Sequence, residues 1–556
     1  MKIKFCGAAS GVTGSCHLIS TEDRKILLDC GMFQGSKVQE ALNYEPFQFD
    51  PAEIDFVIIS HAHIDHCGRL PLLVKNGFQG QIYCTNATGN LLPIMLTDSG
   101  HIQEKEAEWK TRKAERNGRP PVEPLYTIED AERVIPLLKP ILYDQLVNLT
   151  DKISIVFNDA GHILGSAITE LWIEEDGNVS KLVFTGDLGV PHRPILRDPV
   201  KIKKADYIIM ETTYGNRLHP ENSTGVEALF KVVLETIRRG GSVIIPSFAV
   251  GRTQELIFEF ARFYDQHEEL RNELDDLTVY IDSPMATNVT QVFRENAQVF
   301  DEETRRYILE GKNPLDFPNL KFTRSSEESR QLNFDRKPKV IISASGMCEA
   351  GRIRHHLKHN LWDPKNSIVF VGYQAEGTLG RHLIEGAEEI SLFGEIIKVN
   401  AEIHNLEGFS GHADRDGLLD WLMGLQMTPK HIFLVHGEED SKLDFAKTMK
   451  ERLGLDAEVI LGVSEYDLVK DEITNREQAL KDALDDAAVL KMRDKISSIH
   501  DALETILYNT QLAMGEDIAP ERIVKINNLL LMLEKNTLNL GSMITIHDTD
   551  DIQTGT

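Results

Sequence analysis

The stretch Ile58-Ile-Ser-His61-Ala-His63-Ile-Asp65-His66-Cys-Gly68 ends an apolar strand and places three histidines and one aspartate within six positions. One histidine after a strand is usually an ordinary surface or core residue, but this density of ligand side chains points to a function. In an extended chain, residues i and i+2 point to the same side, so His61 and His63 can bind one cation. Asp65 and His66 follow in the loop and can serve a second cation. Imidazole and carboxylate groups suit zinc, so the stretch predicts a metal centre.

Three further candidate ligands each follow a predicted strand. His162 stands in a glycine-flanked loop, Asp187 follows Gly186, and His436 precedes Gly437. Glycine–aspartate turns are common, so each signal is weak when it is taken singly. Their order after the first stretch makes the set strong, and a carboxylate at Asp187 could bridge two metal ions.

The combined motifs resemble the metallo-β-lactamase superfamily of dinuclear metallohydrolases. Within it, three further motifs are similar to motifs A, B and C of the β-CASP branch of nucleases: Met210-Glu211-Thr-Thr-Tyr-Gly215, Phe409-Ser-Gly-His412-Ala-Asp414 and Leu434-Val-His436-Gly-Glu438. The resemblance covers about residues 1–468. RNA-processing members carry a histidine at motif C, whereas DNA-repair members have lost it. His436 therefore places the chain with the RNA-processing members, nearest to relatives of the endonuclease subunit of the cleavage and polyadenylation complex.

The resemblance implies a ligand set for two zinc ions per chain, with manganese as a substitute. One zinc would be held by three residues and the other by three more, with Asp187 bridging both; these are His61, His63 and His162, then Asp65, His66 and His436. A hydroxide that bridges the metals would attack the RNA phosphodiester.

The resemblance also implies three catalytic residues, which are Asp65, Glu211 and His412. A carboxylate beside an imidazole fixes its tautomer and raises its pKa. His412 is therefore the candidate general acid for the leaving 3′ oxygen, and Glu211 would orient it. The alternative for Glu211 is that it only supports the metal ligands.

Two loops of the middle segment resemble the substrate-facing loops of the branch. Glycine and arginine at the start of a helix can bind an anion through N–H groups and a guanidinium. The predicted substrate-binding residues are Ser247, Arg252, Ser345, Gly346 and Arg352. Aromatic residues interleaved with basic ones are sparse here, so the sequence does not argue for base stacking.

Two patterns of predicted secondary structure indicate the domain organisation. Short apolar strands that end in Gly, Asp or His dominate the first 212 residues. Alternating helices and strands follow, and the pattern of short apolar strands then resumes. We predict an α/β fold, a metallo-β-lactamase αββα sandwich with an inserted β-CASP domain. The predicted parts are 1–212 and 396–469 for the sandwich, 213–395 for the insertion and 470–556 for a helical extension.

The helical extension shows apolar residues at spacings of three and four, which is one face of a long helix. A helical hairpin that caps the body and a homo-oligomer contact remain equal alternatives for it. Some archaeal members carry RNA-binding KH domains before the first strand, and we expect none here because the sequence starts at that strand.

The chain has 556 residues with 60 Lys and Arg against 87 Asp and Glu, a net charge of −27. So acidic a protein repels phosphates unless bound metals reverse the sign at the site. No apolar run is long enough to span a membrane, and no secretory signal is evident, so we expect no membrane partner. Six cysteines without a Cys-x-x-Cys pair favour the reducing cytoplasm.

The leading hypothesis is a zinc-dependent ribonuclease that cuts single-stranded RNA endonucleolytically. The alternatives are a 5′ exoribonuclease of the ribonuclease J type, a small-molecule metallohydrolase, a DNA nuclease and a non-catalytic scaffold. Small-molecule relatives usually lack the insertion and motifs A to C, and every expected ligand is present, which disfavours the scaffold.

Overall fold

The computed structural model of the protein describes residues 1–116, 120–219, 222–374, 377–406 and 409–474. The predicted helical extension therefore lies outside the described residues from position 475 onward. Its first residues are not helical, because a strand occupies Glu472–Thr474.

The part before the insertion carries short strands and mostly short helices. Its strands are β1 (Lys2–Gly7), β2 (Cys16–Ser20), β3 (Lys25–Leu28), β4 (Phe56–Ile58), β5 (Gln81–Thr85), β6 (Leu138–Ile141), β7 (Val147–Asn148), β8 (Ile153–Asp159), β9 (Ala167–Glu175), β10 (Asn178–Phe184) and β11 (Tyr207–Glu211). Its helices are α1 (Lys37–Ala41), α2 (Ile64–Cys67), α3 (Leu70–Lys75), α4 (Asn86–Arg116) and α5 (Ile128–Glu132).

The inserted part alternates helices and strands. Its strands are β12 (Val243–Pro246), β13 (Thr278–Ile281), β14 (Leu320–Phe322), β15 (Lys339–Ser343), β16 (Ser367–Phe370), β17 (Glu389–Leu392), β18 (Glu395–Lys398) and β19 (Glu402–Asn405). Its helices are α6 (Asn222–Arg238), α7 (Arg252–Gln266), α8 (Arg271–Asp276), α9 (Pro284–Glu295), α10 (Glu302–Leu309), α11 (Ser326–Phe334), α12 (Ile353–Asn360) and α13 (Leu379–Ile384).

The part after the insertion supplies further strands to the two sheets that contain β1 to β11. Its elements are α14 (Arg415–Leu422), β20 (His431–Val435), α15 (Glu439–Leu453), β21 (Glu458–Val459), β22 (Ser464–Asp467) and β23 (Glu472–Thr474).

Two sheets form the predicted sandwich. One has eight strands in the order β23-β22-β1-β2-β3-β4-β5-β6, and the other has seven in the order β21-β20-β11-β10-β9-β8-β7. Apolar side chains from both sheets, such as Phe5 and Phe433 with ring centroids 5.3 Å apart, fill the space between them. Helix α4 covers the outer face of the first sheet, and helices α14 and α15 cover that of the second. The αββα layering predicted from the sequence is confirmed.

The insertion is built on a six-stranded sheet in the order β14-β13-β15-β12-β16-β19, and every pair in it is parallel. The inner strands β12, β15 and β16 are buried on both faces, as a parallel sheet between helices requires, whereas the edge strands β14 and β19 are partly exposed. Val243 and Ile245 pack towards one layer of helices, and Ile244 packs towards the other.

The boundary predicted after residue 395 differs from the structure. Ile396 to Val399 were expected to return to the sandwich, but β18 pairs with β17 in a separate two-stranded sheet. Strand β19 then joins β16 of the inserted sheet, so the insertion ends after Asn405. A short apolar strand carries no information about which sheet it joins, and this is why the sequence placed the boundary too early.

Candidate metal centre and its surroundings

The predicted ligands stand where strands of the two sandwich sheets end. His61 and His63 follow β4, His162 follows β8, Asp187 follows β10 and His436 follows β20. Strands β4, β10 and β20 run parallel to neighbours in their sheets, so their carboxyl ends lie at common edges. The edges of the two sheets therefore bring side chains that are far apart in sequence together at one buried site.

One group of ligand atoms comes from three histidines and Asp187. Nδ1 of His63 lies 3.1 Å from Nε2 of His61 and 3.2 Å from Nε2 of His162. Oδ2 of Asp187 lies 3.5 Å from Nε2 of His61 and 3.6 Å from Nε2 of His162. Four donor atoms from four residues thus surround one point.

A second group lies beside the first and consists of Asp65, His66 and His436. The Nε2 atoms of His66 and His436 are 3.1 Å apart. Oδ2 of Asp65 lies 3.9 Å from Nε2 of His66 and 3.6 Å from Nε2 of His436. Oδ2 of Asp187 is also 3.3 Å from Nε2 of His66, so this one oxygen faces both groups.

These spacings fit metal ions. Tetrahedral zinc with bonds of about 2.0–2.1 Å sets neighbouring ligand atoms roughly 3.3–3.4 Å apart. The ligand separations of 3.1–3.6 Å in the first group bracket that value. Oδ1 of Asp187 is buried without a hydrogen-bond partner among the described residues. Imidazole and carboxylate donors suit zinc and its first-row neighbours.

Hydrogen bonds at the far ring nitrogen orient the histidines. Nδ1 of His66 lies 2.7 Å from Oδ2 of Asp29, Nδ1 of His162 lies 3.0 Å from the carbonyl oxygen of Gly411, and Nδ1 of His436 lies 3.1 Å from Oγ1 of Thr213. An acceptor at Nδ1 places the ring proton there and leaves Nε2 free to bind a metal. All three rings present Nε2 to the centre.

Asp29 is a supporting residue that the sequence analysis did not single out. Its carboxylate is fully buried and accepts hydrogen bonds from Ser15 Oγ at 3.0 Å and from Ser60 N and Oγ at 2.8 and 2.9 Å. Its backbone has φ of 59°, in the left-handed region that few residues other than Gly, Asn and Asp adopt. The sequence feature that could have identified Asp29 is its position directly after strand β3.

The protonation of His61, His162 and Asp187 suits metal binding, whereas the carboxylates of Asp187, Asp65 and Asp29 outweigh burial and raise the pKa of His66 well above its ordinary value. Burial holds the pKa of His61 and of His162 well below the ordinary histidine value, so both rings are neutral at pH 7. Burial works against ionisation of Asp187, but His436 and His66 outweigh it and hold the pKa of Asp187 well below its usual range. Neutral imidazole and ionised carboxylate are the forms that bind a metal.

Glu211 and His412 form a second feature at the edge of the centre. Glu211 is buried at the end of β11, where Oε1 accepts from Leu188 N at 2.7 Å and Oε2 accepts from Thr213 N at 3.1 Å. Nδ1 of His412 lies 3.2 Å from Oε1 of Glu211 and 3.8 Å from Oδ2 of Asp187.

The carboxylates set the charge of His412. Burial lowers the pKa of His412, but the negative charges of Glu211 and Asp187 outweigh burial and raise that pKa to about 9. Glu211, His412 and Asp187 also lie close enough together to be a candidate set of metal ligands. The side chain of His412 keeps 21% of its surface exposed, so it can be reached from solvent.

The predicted substrate arginines are both paired. Arg252 is nearly buried and forms an ion pair with Glu255, and Arg352 Nη1 lies 2.7 Å from Oδ1 of the buried Asp282. Arg352 also donates to the carbonyl oxygen of Arg324 at 2.8 Å. Neither guanidinium is a free cation, and substrate contact at these two positions stays a prediction.

The other three predicted substrate residues have structural contacts. Ser247 is buried, and its Oγ lies 3.0 Å from Oγ1 of Thr253. Ser345 Oγ donates to the carbonyl oxygen of Ala350 at 3.1 Å. Gly346 lies beneath the ring of Phe248, which a Cβ atom would approach to 2.8 Å.

Comparison with known proteins agrees with this arrangement. Three family descriptions match: the metallo-beta-lactamase superfamily over residues 9–277, the Beta-Casp domain over residues 253–383, and the Zn-dependent metallo-hydrolase RNA specificity domain over residues 396–460.

Two relatives illustrate the similarity. Ribonuclease TTHA0252 of Thermus thermophilus is 39% identical over 81% of this chain and 96% of its own length. The transcription termination factor FttA of Methanocaldococcus jannaschii is 34% identical over 81% of this chain and 69% of its own length. The resemblance drawn from the motifs is confirmed, and the chain belongs to the β-CASP branch of the metallo-β-lactamase superfamily.

Proposed function

We propose that this chain is a zinc-dependent ribonuclease that hydrolyses phosphodiester bonds within single-stranded RNA. The observation that carries the proposal is the position of Asp187, whose Oδ2 lies 3.5 Å from Nε2 of His61 and 3.3 Å from Nε2 of His66. One carboxylate oxygen is thereby placed between two groups of ligands, as a pair of metal ions requires. A relative named as a ribonuclease, which this chain matches over nearly its full length, supports RNA as the substrate.

The ligand assignment follows the two groups. His61, His63 and His162 would hold one zinc, and Asp65, His66 and His436 would hold the other, with Asp187 between them. When bound, two zinc ions supply an activated water and neutralise charge on the phosphate. Manganese fits the same donors and is an alternative occupant.

Residues of the chain orient the histidine ligands and take part in proton transfer. Asp29, the Gly411 carbonyl and Thr213 fix the histidine rings so that the Nε2 atoms converge. Asp65 lies in the second group, where it would help to hold the metal and would accept a proton from the attacking water.

His412 is placed to donate a proton to the leaving 3′ oxygen. Its Nδ1 is held 3.2 Å from Oε1 of Glu211, which directs Nε2 away from that carboxylate. Its ring centroid lies 4.4 Å from that of His162, so it stands directly beside the first ligand group. Glu211 positions His412 through this contact, and hydrogen bonds from Leu188 and Thr213 hold Glu211 in turn.

Two RNA substrates test the reaction. The zinc-loaded protein should linearise a circular single-stranded RNA, and the variant His63→Ala should leave the circle intact because one ligand is lost. An intact circle beside degraded linear 5′-phosphorylated RNA would instead indicate an exoribonuclease of the ribonuclease J type. Cleavage of single-stranded DNA at an equal rate would contradict RNA specificity, and no cleavage of either would favour a small-molecule substrate.

The cellular setting is also part of the proposal. All six cysteines lie in described positions, and each is a free, buried thiol. Unpaired cysteines favour a reducing compartment, and we place the protein in the cytoplasm. Among helices in the described part of the chain, none has the length and apolar character needed to cross a membrane. A homo-oligomer through the C-terminal helices stays a prediction, because those residues lie outside the described ranges.

A further inference from the structure

Two large aromatic side chains are exposed where neighbouring strands of the inserted sheet end. Phe248 follows β12 and is 41% exposed, and Tyr373 follows β16 and is 46% exposed. Strands β12 and β16 are parallel neighbours, so both residues stand at the carboxyl edge of that sheet. Ligands of open parallel sheets bind at this edge.

The backbone beneath these rings is closely fitted. A Cβ atom at Gly346 would lie 2.8 Å from the ring of Phe248, and one at Gly372 would lie 3.9 Å from it. Phe248 can therefore lie against the loop of Gly346 only because that position is glycine, whereas a Cβ atom at Gly372 would make an ordinary contact. Gly346, one of the predicted substrate residues, thus leaves room for this ring.

One buried side chain ties the loops together. Nε2 of Gln374 lies 3.0 Å from the carbonyl oxygen of Gly346, 3.2 Å from that of Gly372 and 3.1 Å from that of Tyr373. Gln374 is only 4% exposed, so these contacts are shielded from water. The two exposed rings are consequently held by a fixed backbone, which reduces the entropy lost when a ligand stacks on them.

Ring contacts join this edge to the metal centre. The ring of Tyr373 lies 6.5 Å from that of Tyr214, edge to face, and the ring of Tyr214 lies 5.9 Å from that of His412. The guanidinium of Arg217 sits 4.8 Å from the ring centroid of Tyr214 and 5.8 Å from that of Tyr373. A chain of ring contacts through the buried Tyr214 therefore connects His412 to the exposed Tyr373.

Arg217 differs from the arginines that the sequence analysis proposed. Arg252 and Arg352 are ion-paired with Glu255 and Asp282. Arg217 is exposed and makes no ion pair within the portion of the chain that the structure describes. A guanidinium held on aromatic faces keeps its donors available for a phosphate.

We infer that Tyr373 and Phe248 are a stacking platform for unpaired bases next to the scissile phosphate, and that Arg217 binds a neighbouring phosphate. The inference rests on the proposed ribonuclease function and adds how the substrate is held. Bases in a duplex have no free face, so the platform selects single-stranded RNA. Stacking is tolerant of base identity, so the enzyme has little sequence preference.

The test combines a ring deletion with a base deletion. Steady-state cleavage is measured for the wild type, Tyr373→Ala and Tyr373→Phe on a linear RNA, and on copies of it with one abasic nucleotide at successive positions around the cut. Tyr373→Ala should raise KM roughly tenfold with little change in kcat, because a stacked base contributes at this level. Tyr373→Phe keeps the ring and should behave as wild type.

The abasic substrates separate stacking from a structural role. At one position beside the cut, the abasic RNA should raise KM of the wild type as much as Tyr373→Ala does, and the two changes together should do no more. Additive effects at every position, or an unchanged KM for Tyr373→Ala, would overturn the inference. Phe248→Ala tested in the same way should identify a neighbouring nucleotide.

Arg217 has its own readout. Arg217→Gln should weaken RNA binding and reduce the slope of log affinity against log salt by about one, whereas Arg217→Lys should keep that slope. An unchanged slope for Arg217→Gln would contradict the phosphate contact. Failure of the proposed function itself looks different, because the wild type would then not cleave the unmodified RNA at all.

Discussion

At the scale of single residues, the grouping of the candidate ligands could be predicted because residues of these types are rare and ordered along the chain. His61, His63, Asp65 and His66 are adjacent in sequence, and the later ligands each follow a strand. The role of arginines could not be predicted in the same way. Arg352 pairs with Asp282, which lies 70 positions earlier, and no local pattern reveals such a partner. Exposure of Tyr373 depends equally on the tertiary structure.

Asp29 provides the first prediction. Asp29→Asn should weaken zinc binding roughly 10- to 100-fold, because the carboxylate that orients His66 is lost. Asparagine tolerates the left-handed backbone of this position, so the fold should persist. Chelator competition measures the affinity. Asp144→Asn, with φ of 60° at an exposed position, is the matched control. Unchanged zinc affinity in Asp29→Asn would show that the hydrogen bond does not matter.

His412 provides the second prediction. His412→Ala should bind zinc normally and lower kcat by roughly 10²- to 10⁴-fold, because a general acid is lost. His192→Ala removes a histidine whose side chain is 90% exposed and should leave kcat unchanged. Zinc content and single-turnover cleavage are the measurements. A His412→Ala protein that cleaves at the wild-type rate with its full zinc content would remove the acid role.

At the scale of elements, an ion-pair cluster joins helix α7 of the insertion to loops of the sandwich. Nη1 of Arg193 lies 2.6 and 2.8 Å from the two carboxylate oxygens of Glu255 in α7. Arg193 also donates to the carbonyl oxygen of Ser410, two residues before His412. The cluster thereby fixes the motif B loop against both parts of the chain.

Removing Glu255 takes the paired carboxylate away from Arg193 and Arg252, whose side chains are largely buried. Glu255→Ala should lower the free energy of unfolding by about 3–5 kcal/mol, as expected when one partner of a buried pair is lost. Glu273→Ala, which breaks the exposed pair with Arg238, should change the free energy of unfolding far less, because water and salt screen that pair. Denaturant unfolding of both variants makes the comparison. Equal stability of the two variants would contradict this role of the cluster.

Helix α15 carries a buried lysine that predicts a pH dependence. The Nζ of Lys442 donates to the carbonyl oxygens of Ala9 and Ile460, and burial lowers the pKa of Lys442 to about 8. The folded state thus favours the neutral amine more than the unfolded state does, whose lysine pKa is about 10.4. The contribution of Lys442 to stability should rise between about pH 8 and 10 and stay level below pH 8, where the amine is protonated in both states. In Lys442→Met this rise should be absent from pH-dependent denaturant unfolding; a rise of the same size would refute it.

At the scale of the whole molecule, the predicted αββα sandwich and insertion are both present. The alternation of buried strands with loops that carry ligands was enough to predict them, since strand burial and loop chemistry are local properties. The partner of a short strand is not local, and so the insertion ends after Asn405 and not at residue 395. The net charge of −27 repels phosphate, so the site must supply its own cations to bind RNA.

The proposed function requires two metal ions that share Asp187 in a centre that cleaves RNA. Adding zinc stepwise to metal-free protein, with bound zinc and RNA cleavage measured on the same samples, tests it most directly. We expect little cleavage at one zinc per chain and a steep rise as the second zinc binds. Full activity at one zinc per chain would contradict it.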